Sequence, residues 1–141
     1  MKALREDRGS MSVFIVIFSV AVFLLAGLLV DGGAAINARL RAADLAEQAA
    51  RAAADQIDVE HLRATGTARI LQDEETVCGR AEELVAAHAD DAVTLSDCEI
   101  GADGAEVTVV VQARWEAIFL AALGFAGSEA EGEATAGPVT E

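Results

Sequence analysis

From Met11 to Val30 the chain reads MSVFIVIFSVAVFLLAGLLV, with no charge, proline or side-chain amide. Twenty residues at about 1.5 Å of helical rise cover roughly 30 Å, the thickness of a bilayer's hydrocarbon core. Lys2, Arg5, Glu6, Asp7 and Arg8 precede the run and Asp31 follows it. This pattern predicts a single membrane-spanning helix. A cleaved secretory signal has a shorter apolar region, ~7–15 residues, usually closed by an Ala-x-Ala site, and no such site ends this run. Beyond it the period changes. Ala34, Ala38, Ala42, Ala46, Ala50 and Ala54 recur every fourth residue, which predicts an unbroken helix with one smooth face. Small side chains at that spacing let another backbone approach closely. The competing explanation is that alanine is merely the best helix former.

Past residue 57 the pattern weakens. Ala64 to Thr67 reads as a turn and Ala68 to Leu71 as a short strand. Asp73 then suits an N-cap, with Glu74 and Glu75 in a first helical turn. Val77, Ala81, Leu84, Val85 and His88 share one face of an amphipathic helix running to about Ala89. Val93 to Ile100 and Glu106 to Arg114 read as strands, and the turn Gly101 to Gly104 makes them a hairpin. Trp115 to Leu123 is too short to span a membrane and too apolar to be freely solvated, so it reads as a short helix ending at Gly124. Glu129, Glu131 and Glu133 alternate with small residues, a third strand with one wet face, ended by Pro138. The fold class is therefore α+β: a long N-terminal helix, a small antiparallel sheet and a packed helix. The expected boundaries are a tail at 1–10, a transmembrane helix at 11–30, an Ala-rich helical stalk at 31–57 and an extracytoplasmic α+β domain at 58–141.

Charge narrows the function. The 141 residues carry a formal −14. Residues 1–10 hold three basic and two acidic groups, a net +1, so the remainder carries −15. A domain this acidic repels phosphate backbones, which excludes nucleic acid as a partner. Lys2, Arg5 and Arg8 precede the span and Arg39 and Arg41 follow it, three against two with the nearest, Arg5 and Arg8, on the N-terminal side, which places the N-terminus in the cytoplasm. Cys78 and Cys98 are then an even pair in an oxidising compartment, and a bridge is expected. Were the domain cytoplasmic, they would be free buried thiols. Catalytic patterns are missing. His61 and His88 share no metal-ligand spacing with the cysteines. Asp97, Glu99 and Asp103 lack the ligand ladder of a calcium loop, and neither Ser10 nor Ser12 sits in a nucleophile elbow. No enzyme, cofactor or metal is expected.

Three N-terminal stretches resemble a known family: Arg8-Gly9-Ser10, Val30-Asp31-Gly32-Gly33, and Arg39-Leu40-Arg41-Ala42-Ala43-Asp44. They look like the N-terminal region of TadE/TadG-like proteins of Flp-type (tight adherence) pilus assembly. Val107 to Val111, Ile118-Phe119, Leu123-Gly124 and Glu133 to Ala136 are similar to that family's closing pattern. The resemblance implies a single-pass envelope protein of pilin-like architecture, packed by its helix on other pilus or secretion-apparatus proteins or on a second copy. TadE-type pseudopilins carry a Gly, a small residue, and a Glu at the fifth position after the cut. Gly9 and Ser10 match that processing site, but the fifth position here is Phe14, so the resemblance favours an uncleaved, TadG-like anchor. The alternative, independent of pili, is a membrane-tethered envelope module that binds a protein ligand.

Overall fold

The computed structural model describes residues 7–88 and 90–139. Helix α1 covers Asp7–Ala54, α2 Val59–Thr65 and α3 Glu74–Ala87. Strands β1 (Val93–Ile100), β2 (Val107–Glu116) and β3 (Gly127–Ala136) form one antiparallel sheet in the order β1-β2-β3, and a 3-10 turn lies at Leu120–Leu123. The class is α+β. Contacts divide the chain into two units: residues up to Ala34 with Glu116–Gly127, and Ala35–Trp115 with Ser128 onward.

In the second unit the sheet presents its small and β-branched face to the core. Val107, Val109, Val111 and Ala113 of β2 are buried, while Thr108, Val110, Gln112 and Arg114 point the other way. This is the two-residue alternation of a half-buried strand. Strand β1 matches it only because it contains a bulge. Val93 and Leu95 pair with Ala113 and Val111, but Asp97, not Ser96, pairs with Val110. The extra residue changes the phase of the strand. Cys98 and Ile100 therefore join Val93 and Leu95 at the core, and Asp97 and Glu99 stay in water. The same phase brings Cys98 to Cys78 on α3, and the two are disulfide-bonded with Cα atoms 5.8 Å apart.

Strand β3 continues the logic with smaller residues. On the wet face Thr135 hydrogen-bonds Thr108 at 2.9 Å, Gln112 donates to Glu131 at 2.7 Å, and Arg114 faces Glu129. On the inner face Ala130, Gly132, Ala134 and Ala136 turn toward the core. Backbone comes very near at Gly132: a Cβ there would overlap the backbone of Ala42 and Ala43 in α1.

The connection after α1 differs from the expected turn and strand. Residues 59–65 are helical because Asp58 caps them: its carboxylate accepts from the His61 N–H at 2.9 Å, and Gly66, at φ 76°, closes the helix. Left-handed backbone of that kind costs glycine little. The expected strand reduces to one bridge, Ile57 to Ile70. Helix α3 starts after Asp73 as expected, buries Val77, Ala81 and Val85, and stops at Ala87 with His88 as an exposed cap. Ala89, the expected end, lies outside the described residues.

The Asp58 carboxyl is held below the ordinary carboxylate range, first by the His61 N–H and then by the Arg69 guanidinium at 2.7 Å. A carboxyl whose folded pKa is depressed adds stability above its unfolded value of about 3.9, and that stability is lost as pH falls through the folded pKa. Asp58→Asn should therefore flatten the acid limb of a thermal-unfolding pH series without changing its neutral limb's slope. An unchanged acid limb would assign the pH dependence to other carboxylates.

Candidate functional site

In the first unit, α1 is long and apolar enough to cross a membrane. From Met11 to Val30 every side chain but that of Gly27 faces outward. The helix satisfies its polar atoms internally, as lipid requires: the Ser19 hydroxyl donates to the Ile15 carbonyl at 2.8 Å. Phe14 and Phe18, one turn apart, stack with ring centroids 6.1 Å apart.

Asp31, immediately after the apolar run, is 1% exposed. Its carboxylate accepts from the backbone N–H groups of Ile118 at 2.9 Å, Phe119 at 3.0 Å and Leu120 at 2.6 Å. These N–H groups open the turn Leu120–Leu123, so Asp31 caps it from a distant part of the chain, where a local Ser or Asp ordinarily would. One turn before Asp31, Gly27 leaves room for Phe119: a Cβ there would lie 2.7 Å from the Phe119 Cβ. An apolar cleft of about 270 Å³ lies between the loop and the helix, lined by Val20, Phe23, Leu24 and Leu28 against Phe119, Leu120, Ala122 and Leu123. The segment expected as a short helix is thus an irregular loop around a single 3-10 turn, closed by Gly124 at φ 91°. It is held by Asp31, a residue that sequence reasoning treated as a flanking charge and as part of the family-like stretch Val30 to Gly33, and not as a cap. The signal was available: a lone carboxylate at the end of an apolar span, and an apolar segment too short to span.

In the second unit Ala38, Ala42, Ala46, Ala50 and Ala54 are buried in one cluster with Leu45, Ala49, Ala53 and the β2 valines. Ala34, in the first unit, is partly exposed. Glu47 and Arg51 pair along the opposite face. A cleft of about 490 Å³ is lined by Arg41, Asp44, Gln48, His88 and Asp90, with Arg41 paired to Asp90 at 2.6 Å. His88 is bonded through Nδ1 to the Leu84 carbonyl at 3.1 Å, and His61 through Nε2 to Thr67 at 3.3 Å. Among the described residues no group of three or more His, Cys, Asp or Glu side chains converges as metal ligands would. Gly9 and Ser10 fall inside α1. Lys2 and Arg5, on which the orientation argument rests, lie outside the described residues.

Residues 9–56 match the family model of Flp pilus-assembly TadE/G-like proteins. The match covers α1 from the residue before Ser10 to just past Ala54, and supports a role related to Flp/Tad pilus assembly. The C-terminal part of the resemblance lies beyond it. No curated protein and no solved structure matches the chain.

Proposed function

We propose, starting from a TadE/G-like N-terminal segment, that this chain is a non-enzymatic, membrane-anchored accessory or minor pilin-like component of a Flp/Tad-type pilus or secretion apparatus. The observation that carries the reading is the coincidence of two independent boundaries. The family match at 9–56 and helix α1 at Asp7–Ala54 cover nearly the same residues. What the family model recognises is therefore the helix that can cross the membrane together with its alanine-rich continuation. Lys2, Arg5 and Arg8 put the N-terminus in the cytoplasm by the positive-inside rule. The disulfide fits a domain in an oxidising compartment. Phe14, in place of the pseudopilin Glu, fits an anchor that keeps its first nine residues.

Purification of the full-length chain from native membranes after mild cross-linking tests the reading. Proteins of the pilus or secretion apparatus should be enriched, and the chain's intact mass should include residues 1–9 apart from Met1. In the same cells, Ser128→Cys should react with a membrane-impermeant maleimide without lysis. Recovery of the chain without any apparatus protein would overturn the assignment, and labelling only after lysis would reverse the orientation.

A further inference from the structure

We propose that the loop Ala117–Gly127 is itself seated in lipid, beside the transmembrane helix, so that the first unit meets the bilayer through two elements. The inference rests on the reading that Met11–Val30 spans a membrane. Ala117 to Gly127 reads AIFLAALGFAG and has no polar side chain. Its largest residues face outward: Ile118 is 71% exposed, Leu123 69%, Phe119 and Phe125 each 46%. Scattered exposed apolar residues are ordinary, but a contiguous group marks an interaction surface.

Lipid is the occupant that fits, for two reasons. The first is continuity. Phe119 packs at Gly27, four residues before Asp31, which is about 6 Å along the helix axis inside the apolar run. The loop therefore shares the depth of a surface already read as lipid-facing. The second is the backbone. Non-helical chain survives at membrane depth only when its N–H groups have partners. Here the Ile118, Phe119 and Leu120 N–H groups go to Asp31, and those of Ala117, Ala122, Gly124 and Phe125 to carbonyls within the loop. Three consecutive amides thus have a protein partner and none of the three depends on water. Asp31 lets an irregular loop enter an apolar phase with these amides paired.

The test uses the full chain in phosphatidylcholine/phosphatidylglycerol vesicles, in a Trp115→Phe background, with single reporters Leu123→Trp, Val20→Trp and Ser128→Trp. Lipids brominated on their acyl chains should quench the Leu123→Trp reporter to the same degree as Val20→Trp and leave Ser128→Trp unquenched. Ile118→Trp repeats the measurement at the other end of the loop should Leu123→Trp disturb folding. Quenching of the loop reporters by aqueous iodide, with Val20→Trp still quenched by lipid, would overturn the inference and leave the anchor intact. Protection from both quenchers would mean that protein, such as a second copy, covers the loop, and would also overturn it. Loss of lipid quenching at Val20→Trp as well would remove the anchor reading together with the inference.

Discussion

Replacing Gly132 by alanine should destabilise the protein by about 3 kcal/mol or more, the upper end of what overpacking costs. The reason is that the obstacle is backbone. A Cβ at Gly132 would overlap Ala42 and Ala43 in the wall of α1, and neither can rotate out of the way as a flexible side chain would. In a unit of this size that loss lowers Tm by roughly 10–20 °C. Gly79→Ala supplies the contrast. It lies within α3, is exposed, and has open space around its Cβ position, so the same substitution should stabilise by up to about 1 kcal/mol through helix propensity. Thermal unfolding of both variants in detergent decides the matter. A Gly132→Ala variant as stable as the parent would mean that β3 does not lie against α1 at this point.

Deleting Ser96 should leave the protein within about 1 kcal/mol of the parent, with the disulfide still formed. Without Ser96, Leu95 and Asp97 become neighbours, and Val93, Leu95, Cys98 and Ile100 alternate without a break opposite Ala113, Val111, Val109 and Val107. The half next to the turn is held by the Gly101 N–H to the Glu106 carbonyl, by the Gly104 N–H to Gly101, and by the bridge from Cys98 to Cys78. Val93 and Leu95 keep Ala113 and Val111 as partners, so neither half changes face. What is lost is the Ser96 hydrogen bond and the local bend of the bulge. Ser96→Ala keeps the residue count and loses one hydrogen bond, from Ser96 Oγ to the Val110 carbonyl at 3.2 Å, a cost of about 1 kcal/mol. Thiol titration and thermal unfolding report the two halves separately. A deletion variant that loses several kcal/mol would show that Ser96 is not simply the extra residue of the bulge. Free thiols would show that the half carrying Cys98 had slipped against β2.

What the sequence made legible follows the range of the physics involved. The alternation of Val107, Val109 and Val111 with Thr108, Val110 and Gln112 is a local signal, and it located β2 and the hairpin. Asp73 with Glu74 and Glu75 located the start of α3 for the same reason. The bulge was also written in the chain: the apolar positions 93 and 95 are odd, and 98 and 100 are even. Reading Val93 to Ile100 as one run hid that change of phase. The helix Val59–Thr65 was missed because its stability rests on one cap and one distant cation, Arg69, against weak periodicity. The alanine spacing drew attention to α1 but carried no information about what lies over it. An i+4 row also advances about 40° past a full turn at each step. A buried face therefore has to recruit i+3 neighbours, and Leu45, Ala49 and Ala53 do this here. The pairing of Asp31 with the loop was illegible from spacing, since nothing local to Asp31 names its donors.

That pairing has a consequence for the order in which the molecule is born. Asp31 and its donors lie 87 to 89 residues apart. Synthesis at about 5–20 residues per second puts roughly 4–20 s between the carboxylate and the amides that will satisfy it. Until then an ionised carboxylate in an apolar phase would be costly, so it keeps its water. A residue made early is thus among the last to find its final neighbours. The anchor is threaded early, α3 and the β1–β2 hairpin follow, and only the return of the chain at Ile118 completes the unit that began at its start.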